Sequence, residues 1–269
     1  MLARLLGLYR HTHPLGARHD IALGDDALSF CLPENFSKDF PAEDIETSVN
    51  LSELTENEIS KHIVRRWWEI NKPGLFNTHL GTLMLNIEVR HFSVNQQSDL
   101  RNQELNISNR FHFLLAQHEH MQNDFQPTSK NDPKNGFFVA PIAYKTGNEW
   151  LTFFNDEMFN GQMWTRVSVA QMNNALTVLY TLPLVQNAYL RVNFCHAVNQ
   201  GVSPYEFQHF SMPLADQMLQ SLKVTFNSAN TLKDAVESEW LTITPQHAIT
   251  RNAGAEDTNG SLASKMQAH

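Results

Sequence analysis

Between Arg110 and Gln122 the chain reads RFHFLLAQHEHMQ, which places His112, His118, Glu119 and His120 close together. These side-chain types bind zinc and iron, so a metal site is the first chemistry to consider. The spacing argues against it. Ile107, Phe111, Leu114, His118 and Met121 recur at intervals of three or four after a cap at Ser98 or Asp99, which predicts a helix. On a helix His118 and His120 point roughly 200° apart, and His112 and His120 diverge by about 80°. Neither pair can close on one ion. HEHMQ also fails the HExxH pattern, because Gln122 stands where the second histidine belongs. His118, on the apolar stripe, is expected to be a hydrogen-bonded, partly buried core histidine.

Other reactive groupings read in the same way. Cys195 and His196 adjoin, but neighbours on a strand project to opposite faces and cannot form a thiol–imidazole hydrogen bond. His11, His13, His19 and Asp20 cluster near the start, as an adventitious or solvated group rather than a site. Carboxylate pairs occur at Asp25–Asp26 and Asp156–Glu157, and nothing in the sequence makes either pair converge on one bond. There is no GxSxG elbow, Walker loop or GxGxxG, so no catalytic, cofactor-binding or metal residue is assigned. The second acidic pair lies in FFNDEMFNGQMW, among aromatic residues and Met158, a composition enriched at protein interfaces. Glu149, Asp156, Glu157, Phe159 and Trp164 are therefore the candidate partner-binding residues. Trp68 joins them as a partly exposed group, with Trp67 expected in the core.

Several elements must position these residues. ALSFCL, ending at Pro33, reads as a short strand. Thr55 and Glu58 fit a capping box ahead of Ile59, Ile63, Trp67 and Ile70, predicting a helix stopped by NKPG. TLMLNIEVRHF alternates, with Leu83, Leu85, Ile87 and Val89 on one face and Asn86, Glu88 and Arg90 on a wet one. Two strands around a turn at Lys145 to Asn148 follow the central helix, then MWTRVSVAQ, ALTVLYTL and AYLRVNFCHA. Leu214, Met218, Leu219 and Leu222 mark a closing helix with Pro213 in its first turn. The expected fold is α+β: an antiparallel sheet of about five to seven strands packed with three helices. Residues 1–26 form an N-terminal segment, 27–240 one domain, and 241–269 a disordered tail rich in small and polar residues.

Composition narrows function further. Twenty Lys and Arg against 28 Asp and Glu give a net charge of −8, unlike a phosphate-backbone binder, so no nucleic-acid partner is expected. Two cysteines exclude a disulfide scaffold and a four-cysteine zinc site. MLARLLGLYR is too short in its apolar run for a signal-peptide core, and no apolar run reaches the ~20 residues of a membrane span. A cytoplasmic location is expected.

SFCLPENF at 29–36, AYLRVNF at 188–194 and PLADQMLQSLKV at 213–224 resemble the opening strand, a meander strand and the closing helix of the PsbP-like αβα sandwich group. That resemblance, and a similar one to bacterial toxin-immunity proteins, implies a non-catalytic bacterial interaction protein. It would be either an immunity protein neutralising a cognate toxin or an adaptor for a type VI secretion effector, acting by surface binding without a cofactor. The alternative is a small-molecule enzyme or ligand-binding protein with a pocket between sheet and helices, lined by residues such as His91, His118 and Tyr144.

Overall fold

The computed structural model describes residues 14–34, 36–37, 39–40, 43–55, 59–72, 78–92, 106–125, 154–170, 175–227 and 232. Along the chain run β1 (Leu15–Leu23), β2 (Asp26–Pro33), β3 (Ser48–Val49), a 3-10 turn (Leu51–Glu53), β4 (Ser60–Lys72) and β5 (Thr78–His91). Then come α1 (Arg110–Phe125), β6 (Phe154–Phe159), β7 (Gln162–Ala170), β8 (Leu176–Val185), β9 (Ala188–Val198), α2 (Pro204–Ser221) and β10 (Lys223–Thr225). The class is mixed α+β. Six strands form one antiparallel sheet in the order β4-β5-β9-β8-β7-β6, and four form a smaller sheet in the order β10-β2-β1-β3. Part of the N-terminal segment is thus structural, since β1 pairs with β2 from Leu15↔Pro33 to Leu23↔Asp26.

Two α-helices are described rather than three, because the Ile59–Ile70 stretch is strand β4. Ile59, Ile63 and Trp67 are four apart, which satisfies an α-helix, but four is also a multiple of two, so that part of the spacing satisfies a strand as well. The content of the stretch decides between them: Ile63, Val64, Trp67, Trp68 and Ile70 are β-branched or aromatic. A bulge opposes His62 to Glu88 and Val64 to Ile87, leaving Ile63 as the extra residue. It shifts the alternation by one, so Trp68 is fully buried and donates from Nε1 to the Pro33 carbonyl at 3.2 Å. Trp67 turns to the other face and stacks on Phe40 at 5.1 Å. The expectation of a buried Trp67 and an exposed Trp68 is reversed.

The large sheet buries both faces. On one, Leu83, Leu85, Ile87 and Val89 of β5 share a core with Val192 and Phe194 of β9 and Val178 and Leu182 of β8. The small sheet contributes Leu23, Leu28 and Phe30, and α2 contributes Phe207, Leu214, Met218 and Leu219. On the other face α1 sets Phe113 and Ala116 with Tyr189, and Leu114 and Met121 with Val167 and Leu179. Among the described residues no helix is long and apolar enough to cross a membrane.

Gly81 marks the tightest approach of this assembly. A Cβ there would lie 2.2 Å from the Ala197 carbonyl oxygen and 2.8 Å from the Phe207 ring. Gly81→Ala is expected to lower unfolding free energy by about 1–3 kcal/mol, since β5, β9 and α2 must move apart to admit one methyl. Denaturant unfolding measures this, and an unchanged midpoint would show that the approach is looser than described.

Candidate functional site

The face of β5 expected to be wet is buried. Asn86, Glu88 and Arg90 lie in a central strand between β4 and β9, and Glu88 is 2% exposed. A carboxylate there is tolerable only when paired. Register supplies the partners, placing Arg191 of β9 and His62 of β4 directly across from Glu88. Arg191 Nη2 pairs with Glu88 Oε1, Arg90 Nη1 is 3.9 Å from the same oxygen, and His62 Nδ1 is 3.6 Å from Oε2. His62 Nδ1 also lies 2.9 Å from Asn86 Oδ1. With Glu88 closed to solvent and His62 partly exposed, this cluster ties β4, β5 and β9 together.

A second charged pair joins α1 to the same face. Arg110, the first residue of the helix, donates to Thr165 Oγ1 at 2.6 Å and to Asp156 Oδ1. Burial lowers its guanidinium pKa to about 10, and the Asp156 carboxylate acts in the opposite direction. Asp156 is therefore committed inside the protein. Glu157, its neighbour on β6, points to the opposite face and accepts from Arg166 Nη1 at 3.0 Å. Close by, burial raises Tyr180 to about 12, with Arg166 opposing and Glu157 and Asp216 adding to the shift.

The candidate partner-binding patch is consequently divided. Phe159 stacks on Trp164 with ring centroids 4.7 Å apart, and Trp164, like Trp68, has no exposed surface. Among the segment's described residues only Met158, 60% exposed, is a large exposed apolar group. Glu149 and Tyr144 lie outside the described residues, as do His11, His13 and the turn at 145–148. His19 packs against Phe30, while Asp20 accepts from Arg18 at 2.7 Å, so those two do not converge.

The three helical histidines separate as their spacing implied. His112 Nδ1 accepts from the Asn106 N–H at 3.2 Å, and His120 Nδ1 meets the Tyr189 hydroxyl at 2.5 Å. Half-buried His118 has its pKa lowered by desolvation. Cys195 and His196 take opposite faces of β9. Burial raises the Cys195 thiol, partly countered by a hydrogen bond to Thr177. His196 has no exposed surface, its Nδ1 is 2.8 Å from Ser211 Oγ on α2, and burial lowers its pKa to about 4. Among the described residues no three His, Cys, Asp or Glu side chains gather in a metal-binding arrangement.

The remaining acidic pair occupies a concave surface. The β1–β2 turn, the 3-10 turn and the β8–β9 turn enclose an open cleft of about 470 Å³. It is lined by apolar Leu23, Leu51 and Leu232 and by polar Asp25, Asp26, Asn50, Ser52, Gln186 and Asn227. Asp26 is buried and accepts from the Asn227 backbone N–H at 2.8 Å, whereas Asp25 faces solvent. Asn50 also lines an adjoining hollow of about 200 Å³ with Glu46, Glu53 and Lys61. Neither hollow is lined by His91 or His118. Sequence reasoning weighed Asp25–Asp26 but missed Asn50, Glu46 and Glu53, which only the fold brings beside that pair. It also missed Arg110 and Arg191, and the one available signal was three polar residues inside a strand as long as β5.

No protein-family model matches this chain, and no curated protein matches its sequence.

Asp156→Asn is expected to cost about 3 kcal/mol, because it removes a carboxylate from a buried guanidinium. Glu157→Gln should cost less than about 1 kcal/mol, its Arg166 partner being 30% exposed. Equal small losses in denaturant unfolding would show that the Arg110 pair does not hold α1. His196 gives a pH signature. An unfolded histidine titrates near 6.5, and the folded group near 4. Its contribution is fully present above about 6.5 and shrinks as pH falls toward 4, where the unfolded chain takes up a proton the fold refuses. The loss reaches about 3 kcal/mol at the acid end. His196→Gln should flatten that slope between pH 6.5 and 4, and an unchanged slope would assign it to other groups.

Proposed function

We propose that this chain is a non-catalytic bacterial interaction protein, a toxin-neutralising immunity protein or a type VI effector adaptor, acting in the cytoplasm on a basic protein segment. The observation that carries this reading is the acidic concave end of the molecule. Asp25, Glu46 and Glu53 are exposed around two adjoining hollows that share Asn50, with Lys61 as the single cation among the described lining residues. Loops and turns on a rigid sheet are common places for such recognition. The net charge of −8 adds long-range attraction for a basic partner and works against nucleic acid. In this reading the PsbP-like resemblance extends to the layers, α1 covering one face of the six-stranded sheet and α2 sharing the other with the small sheet.

A ligand-binding alternative is favoured by one observation, a cleft volume within the ~300–1,000 Å³ range typical of small-molecule sites. The cleft's breadth and its acidic rim suit an inserted basic side chain better.

The test uses the product of the adjacent gene as partner, with association rates measured at two ionic strengths. Asp25→Asn combined with Glu46→Gln and Glu53→Gln is expected to slow association about tenfold at low salt and to flatten its salt dependence, leaving stability within about 0.5 kcal/mol. Binding with unchanged rates would move the interface elsewhere, and failure of the pair to associate at all would overturn the reading.

A further inference from the structure

We infer that Asn160–Gly161 is a hydrolytic modification site, at which deamidation of Asn160 releases the β6–β7 turn from the end of α2. The turn has left-handed backbone at both positions, φ 51° at Asn160 and 74° at Gly161. This two-residue connection favours Asn followed by Gly. The same pair is the one in which a main-chain nitrogen, unshielded by a side chain, most readily reaches the preceding amide carbon. The turn geometry therefore selects a chemically labile dipeptide.

The side chain is also a latch. Asn160 Nδ2 donates to the Gln220 carbonyl at 3.2 Å and to the Leu222 carbonyl. These are acceptors at the C-terminal end of α2, where helical carbonyls lack internal partners. Gln162 Nε2 extends the attachment by donating to the Val224 carbonyl of β10. While latched, the Asn160 amide is held to the end of α2 by both of these hydrogen bonds.

The reaction needs only water. The Gly161 main-chain nitrogen loses its proton and bonds to Asn160 Cγ, and the Cγ–Nδ2 bond breaks as ammonia leaves with a proton. Water then opens the cyclic imide at either carbonyl, giving aspartate or isoaspartate, with no change of oxidation state. The product carboxylate has no N–H to donate. It faces two carbonyl oxygens at the negative end of the helix dipole, so attraction becomes repulsion. Isoaspartate adds a backbone carbon and breaks the turn as well.

The full chain is held at mildly alkaline pH, native and in strong denaturant, and conversion at Asn160 is followed by peptide mass spectrometry. Because both latch hydrogen bonds must open first, native conversion is expected to be at least ~tenfold slower than denatured conversion. Hydrogen exchange at Phe159, Gln162 and Val224 is then compared among wild type, aged protein and Asn160→Asp, with faster exchange expected in the last two. Equal native and denatured rates would overturn the latch. Wild-type exchange in aged protein or in Asn160→Asp would overturn the release. If Asn160→Asp does not accumulate folded, the aged protein supplies that comparison.

Discussion

A carboxylate sealed at the centre of a sheet dictates what stands around it. Glu88 requires Arg191 across one strand boundary, with Arg90 and His62 near by, and this fixes the register of β4, β5 and β9 together. A slip of one residue would drive Leu85, Ile87 and Val89 toward the polar layer and Glu88 into the apolar core. Such pairs contribute little net stability, but breaking one leaves an uncompensated charge, so they penalise wrong pairings more than they reward the right one. Arg110 extends the logic to α1, whose first residue is tied to Thr165 and Asp156 on the same face.

The apolar face is closed by a different device. The small sheet and α2 lie together on it, joined by polar threads that cross long stretches of chain. Ser221 Oγ accepts from the Cys31 N–H at 3.0 Å, and Trp68 Nε1 reaches the Pro33 carbonyl. The turns beyond these threads build the acidic end, so its carboxylates can differ without disturbing the layer that positions them.

Legibility in the sequence followed from how many environments a pattern could satisfy. β9 reads as a strand because Leu190, Val192 and Phe194 alternate with Arg191, Asn193 and Cys195. α1 reads as a helix because its periodicity and its diverging histidines agree, but it starts at Arg110, where Asn109 Oδ1 accepts from the His112 N–H, rather than after Ser98 or Asp99, and Phe111 of the expected stripe is exposed. β4 misleads because its spacing suits two periods, and the bulge at Ile63 is invisible without a partner strand. The Asn86–Arg90 run misleads because wetness is a property of the layer above a strand, which the strand itself does not encode. The acidic hollows were the hardest to read, since Asp25, Asn50 and Gln186 meet only through three separate turns.

Strand order also sets a schedule for assembly. β2 is flanked on one side by β1, its immediate predecessor, and on the other by β10, whose Lys223–Thr225 pair with Ser29–Ala27. On a ribosome the first hairpin is made long before its second neighbour exists. Its outer edge must then wait through the synthesis of the whole large sheet and α2. An exposed edge of that kind invites pairing with other chains, and contacts so distant in sequence form slowly. The small sheet is therefore the last part to close and the part most in need of protection while the chain is growing.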